Sequence, residues 1–97
     1  MANAKYLHFV GATTALITPN AGAVLHAVNI GVAAAATTSR VQIYDANATS
    51  ATNATNMVGN VNASAVALSS YLYDAVMASG IVINVTDALT DVTIIFN

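Results

Sequence analysis

The sequence predicts an all-β domain: an antiparallel β-sandwich, jelly-roll-like, of seven to eight short strands. Two observations predict it. The first is alternation with period two. Ile81, Ile83 and Val85 alternate with Val82, Asn84 and Thr86, and Val92, Ile94 and Phe96 alternate with Asp91, Thr93 and Ile95. His26, Val28, Ile30 and Val32 alternate with Ala27, Asn29 and Gly31 in the same way. Such alternation marks strands with two unlike faces. The second is the recurrence of turn residues every 8 to 12 residues or so, the spacing of a sandwich rather than of helices. A chain of 97 residues makes one domain, 1–97. Its folded surface should be roughly 5,200 Å², enough to enclose one modest core.

Each element follows in order. Lys5 to Val10 reads as a first strand, and Leu16 and Ile17 as a short strand before the turn Thr18-Pro19-Asn20-Ala21-Gly22. There Pro presets φ, and Asn or Gly accepts positive φ. Val24 to Val32 is a strand. Ala33 to Ser39 has no large side chain and is too short to nucleate a helix, so it reads as a hairpin connection. Arg40 to Tyr44 is a strand, ended by Asp45 in an Asx turn. Residues 46–56, ANATSATNATN, hold nothing that anchors a core and read as a surface loop or flexible insertion. Met57 to Val61 reads as an edge strand, although the Ala-rich stretch 61–70 also suits a helical turn. Ala65 to Tyr73 reads as a strand with Val66, Leu68 and Leu72 on one face and Tyr71 and Tyr73 on the other. Ala78-Ser79-Gly80 is a turn, and the strands Ile81–Thr86 and Asp91–Phe96 form a hairpin around Asp87 to Thr90. The alternation points Ile83, Val85, Val92 and Ile94 inward, beside Val28, Ile30, Val41 and Ile43.

The chain has little with which to do chemistry. His8 and His26 fall on strands, at no metal-ligand spacing, and read as space-filling residues or makers of one hydrogen bond. Asp87 and Asp91, with Asn84 nearby, offer two carboxylates where calcium wants six to eight oxygens, roughly. Turn-forming roles are favoured for them. Ser69, Ser70, the histidines and Asp74 can be grouped as a triad only on paper, since no nucleophile elbow or phosphate loop is present. No enzyme, cofactor or metal is expected. There is no Cys to form disulfides or thiolate sites, and the net charge of −2 with solitary Lys5 and Arg40 argues against nucleic acid. No apolar run is long enough for a membrane helix, and the first residues do not form a signal peptide, so synthesis in a cytoplasm is expected. The sequons at Asn47, Asn53, Asn62 and Asn84 follow from the abundance of Asn, Ser and Thr.

Charged residues make up 6% of the chain, against a usual value of about 25%. A free monomer normally keeps charge on its surface for solubility, so this composition favours packing against copies of itself or a large assembly. Tyr44, Tyr71 and Tyr73 could serve as sugar-stacking platforms. With 6% aromatics and no Trp, subunit contact is the favoured role for them, and the outward Thr93 is added to that candidate interface.

Two stretches carry a resemblance. Leu25 to Gly31 followed by Arg40-Val-Gln-Ile-Tyr-Asp-Ala46, and Ser79 to Val85 followed by Asp91-Val-Thr-Ile-Ile-Phe96, resemble small β-sandwich virion proteins of tailed bacteriophages. The likeness covers residues 24–46 and 79–96; the tract 33–38 and the loop 46–56 match nothing diagnostic. It implies a homo-oligomer, expected to be a trimer, located on the virion. There it would decorate the outer capsid surface as a cement protein and bind the major capsid protein. The alternative it implies is a tail or head fibre or spike module that recognises a host-surface glycan. A secreted or pilin-like adhesion subunit is a third class, weakened by the lack of a signal peptide.

Overall fold

The computed structural model describes residues 4–32, 39–62, 69–86 and 90–97, without the side chains of Val32, Ser69 and Leu72. Among the described residues there are eight strands. They are β1 (Lys5–Val10), β2 (Thr13–Thr18), β3 (Val24–Val32), β4 (Arg40–Tyr44), β5 (Met57–Asn62), β6 (Ser69–Val76), β7 (Ile81–Val85) and β8 (Asp91–Phe96). A short 3-10 helix, Thr49–Ala51, lies between β4 and β5.

The strands form two four-stranded sheets, β1-β8-β3-β6 and β2-β7-β4-β5, and every pairing is antiparallel. The connectivity is that of one long hairpin rolled up. The pair β4/β5 lies nearest its tip, followed by β3/β6, β2/β7 and β1/β8, and successive pairs fall in alternate sheets. Two further pairings, β3 with β8 and β4 with β7, complete the sheets. This is jelly-roll topology, which agrees with the expected all-β sandwich.

The same topology corrects two expectations. β7 and β8 follow one another in sequence but lie in opposite sheets, so they are not a hairpin. β3 and β4 are likewise in different sheets, so no hairpin joins them either. Period-two alternation tells a strand which face to bury, and that face is served equally well by a hairpin or by a crossing to the facing sheet. Residues 33–38, 63–68 and 87–89 lie outside the described residues, and with them the middle of the 61–70 stretch that also suited a helical turn, the start of the strand read from Ala65, and Asp87; both ends of that stretch, 61–62 and 69–70, are strand.

The core expectation holds. Ile83, Val85, Val92 and Ile94 join Val28, Ile30, Val41 and Ile43 in one buried cluster, each 1% exposed or less, with Leu25, Ile81 and Met77. β8 shows the alternation plainly, with Val92, Ile94 and Phe96 buried and Asp91, Thr93 and Ile95 only partly so. The second strand is longer than read from the sequence, running from Thr13 to Thr18. The total surface is 4912 Å², close to the expectation from mass.

Register shifts distort this sheet, and the one at His26 changes which residues of β3 face the core. Opposite β8, β3 shifts register between Leu25 and Ala27, so Leu25 and Val28 enter the core while His26 bonds Asp74. Opposite β3, β6 sets two residues, Tyr73 and Asp74, against the single His26, and Asp74 has a left-handed φ of 48°. Tyr71 pairs with the buried Val28, and both Tyr71 and Tyr73 pack half-buried against the core. They face inward, opposite to the sequence expectation. Tyr73 reaches β5 at Gly59, where a Cβ would stand 2.5 Å from its hydroxyl. Burial, and then the neighbouring Tyr71, push the Tyr73 phenol above its ordinary pKa.

Candidate interaction surfaces

The outer face of the β2-β7-β4-β5 sheet carries Arg40 at one end of β4 and, along part of its width, an internally bonded row of uncharged polar side chains. Thr14 and Asn84 are register partners, as are Asn84 and Gln42, and Gln42 and Asn60. The Thr14 hydroxyl donates to Asn84 Oδ1 at 2.9 Å, and Asn84 Nδ2 donates to Gln42 Oε1 at 3.0 Å. The Tyr44 hydroxyl donates to the same Gln42 oxygen at 3.3 Å. Tyr44 itself is only 9% exposed, because it packs with Ala46, Val82 and Met57 in a satellite cluster on this face.

The loop after β4 is built rather than featureless. Asn53 N–H donates to Asn56 Oδ1 at 2.9 Å, and Thr55 N–H donates to Asn53 Oδ1 at 2.9 Å. The Thr55 hydroxyl also bonds Asn53 Oδ1, and Asn56 Nδ2 donates to the Ala51 carbonyl at 2.8 Å. These are the local turns that Asn supports in place of regular structure. The repeated Asn-Ala-Thr spacing was the available signal for them.

Asp45 does not make the Asx turn expected of it. Its carboxylate reaches across the end of the sandwich and accepts backbone N–H bonds from Ala78 at 2.9 Å, Ser79 at 2.7 Å and Gly80 at 3.3 Å. Burial alone would raise its pKa, but the three donors together outweigh burial and hold the carboxyl below its ordinary value. A depressed carboxyl pKa stabilises the fold above the unfolded-state value, and this stability is lost as pH falls through the folded-state value. Asp45→Ala is expected to cost about 1.5–3 kcal/mol, the scale of hydrogen bonds to a charged acceptor. Urea denaturation at neutral and acidic pH checks this: the gap between parent and variant should narrow as the carboxyl protonates.

The outer face of the β1-β8-β3-β6 sheet carries both imidazoles. His8 Nε2 bonds Asp91 Oδ1 at 2.6 Å, and His26 Nδ1 bonds Asp74 Oδ1 at 2.8 Å. Each histidine thus makes a one-carboxylate contact, and Asp91 is engaged by His8 from the neighbouring strand. Thr93 is half-buried on this face, in register between His8 and Asn29. The strands at the two ends of the sheet hold its most exposed large apolar side chains: Tyr6 72% and Val10 71% on β1, and Val76 72% on β6.

Of the four residues expected at an interface, Thr93 alone lies on an outer face away from an apolar cluster. Tyr44 is covered on one outer face, and Tyr71 and Tyr73 point between the sheets, so the three tyrosines do not form one platform. Tyr6, Val10 and Val76 were missed. The run Lys5-Tyr-Leu-His-Phe-Val10 carries apolar residues on both faces and reads in sequence simply as a strand; only the topology puts it at an edge. Among the described residues, no three of His, Asp, Glu or Cys gather where they could hold a metal ion. No known protein family, curated protein or solved structure matches the chain.

Proposed function

We propose that this chain is a structural subunit of a tailed-bacteriophage particle, a decoration or cement protein on the outer surface of the head. In this reading it acts by binding, without catalysis or cofactor. Its partners are further copies of itself, as a trimer, and the major capsid protein, whose subunit junctions it bridges. Repetition over many copies multiplies a small stabilisation by mass action.

The observation that carries this reading is the surface. With two basic and four acidic residues in 97, the chain spends Asn, Gln, Thr and Ser where a free monomer spends charge, and it leaves Tyr6, Val10 and Val76 open to solvent. The sequence resemblance supplies the particle. The fold by itself supports no single function, since jelly rolls serve capsid and sugar-binding proteins alike.

Light scattering at micromolar concentration is expected to give a mass of three chains. A 9.8 kDa species that remains monomeric even when bound to the particle would overturn the trimer. One observation favours the fibre or spike alternative: the uncharged row Thr14, Asn84, Gln42 and Asn60 presents amide and hydroxyl groups of the kind that bind sugar hydroxyls. Glycan-array binding that is lost in Asn60→Ala and retained in Thr93→Ala would favour that alternative.

A further inference from the structure

We propose that the outer edge of β1 is a strand-pairing site, and that its occupant is β1 of a second copy, running antiparallel about a two-fold axis normal to the sheet. The inference concerns the bare chain and does not rest on the capsid reading.

A strand at the end of a sheet presents a row of backbone N–H and C=O groups, and native proteins blunt such edges with bulges, prolines or charges. Three of the four edges here are blunted by a bulge or a proline, whereas β1 carries only Lys5, at its first residue. β2 shifts register between Leu16 and Thr18 and runs into Pro19. β5 shifts register opposite Ile43 and Tyr44. β6 carries the bulge with the left-handed Asp74. β1 is different. It pairs with β8 in unbroken register from Lys5 to Val10, and among the described residues no strand pairs with its other side. It is also the most apolar edge: Tyr6 is 72% exposed, Val10 71% and Leu7 40%.

What fits a row of open backbone groups is another extended strand, with apolar side chains toward both faces. Within this chain, the blunted edges cannot supply one, so a copy can meet β1 only through its own β1. Charge fixes the direction. Lys5 is the one Lys, Arg, Asp or Glu of β1. Parallel pairing would set two Lys5 side chains side by side. Antiparallel pairing centred on Leu7 or His8 keeps each face in place and separates the two lysines by ~14–20 Å, beyond the screening length at physiological salt. Leu7 then meets Leu7, or Phe9 of the partner strand. A contact of this kind is isologous and closes on itself. A six-residue ladder is smaller than a standard interface, so the pair is expected at high local concentration, as on a crowded surface. It would join two monomers, or two trimers.

Because the chain contains no cysteine, single-cysteine cross-linking is a clean test. Y6C, L7C, H8C, V10C and V76C are oxidised at several hundred micromolar and run on denaturing gels. A dimer band that peaks at L7C or H8C, the positions that face themselves across the axis, is the expected result. No band at either position, or an equal band at V76C on the opposite sheet edge, overturns the proposal. The double variant Y6K/V10K changes only exposed positions and supplies the second readout. Its melting curve should match the parent's, while self-association measured by sedimentation falls at least tenfold. Undiminished association in a folded Y6K/V10K protein overturns self-pairing.

Discussion

Gly80→Ala is expected to be the most damaging single-methyl change in the described structure. Gly80 sits where the turn before β7 passes between the end of β2 and the start of the loop after β4. A Cβ there would stand 2.5 Å from the Thr18 carbonyl oxygen and 2.6 Å from the Ala46 carbonyl oxygen. Both obstacles are backbone, so no rotamer change relieves them. Moving them pulls on the neighbouring Asp45 carboxylate, which bonds the N–H groups of Ala78, Ser79 and Gly80. The cost is expected to be about 3 kcal/mol or more, at the upper end for overpacking. For a domain of this size each kcal/mol lowers the melting temperature by about 4–8 °C. Calorimetry of the variant checks it, and a melting temperature within two or three degrees of the parent, roughly, would mean that the turn packs otherwise.

Ile94→Ala is expected to cost roughly 2–5 kcal/mol, because it opens a cavity at a fully buried position. Ile94 is 0% exposed, and it is flanked in register by Leu7 of β1 and Val28 of β3. Against a typical total stability of about 5–15 kcal/mol the loss is large. Thr93→Ala, one residue away on the outer face, is expected to change stability by about 0.5 kcal/mol or less. Denaturant titration of the two variants separates them. A silent Ile94→Ala with a crippling Thr93→Ala would invert the strand's faces. If Thr93→Ala folds normally yet binds particles more weakly, the outer face of β8 belongs to the docking surface.

The inward faces of β4, β7 and β8 were legible because nothing interrupts their alternation: Val41 and Ile43, Ile81, Ile83 and Val85, and Val92 and Ile94 are buried as their spacing requires. The partners of those strands were not legible. Nothing in Asp87 to Thr90 distinguishes a hairpin turn from a link between facing sheets, and the choice is made by which distant strand covers each edge. The tyrosines of β6 were misassigned because that stretch carries apolar residues on both faces: alternation separates Tyr71 and Tyr73 from Leu72 but does not say which set is buried. Asp45 was legible as a turn residue, but its partners lie more than thirty residues away, with Ala78 at a separation of 33, beyond the reach of any local pattern. The exposed edge at β1 was hidden for the same reason, since its six residues declare an apolar strand but not its place in the sheet.

The most direct test of a role on the particle is negative-stain or cryo-electron imaging of virions produced with and without this chain. Extra density on the outer head surface at coat-subunit junctions, absent from particles made without the chain, together with earlier rupture of those particles on heating, is the expected result. Density confined to tail or fibre tips, or particles identical in shape and heat resistance with and without the chain, would contradict a decoration role.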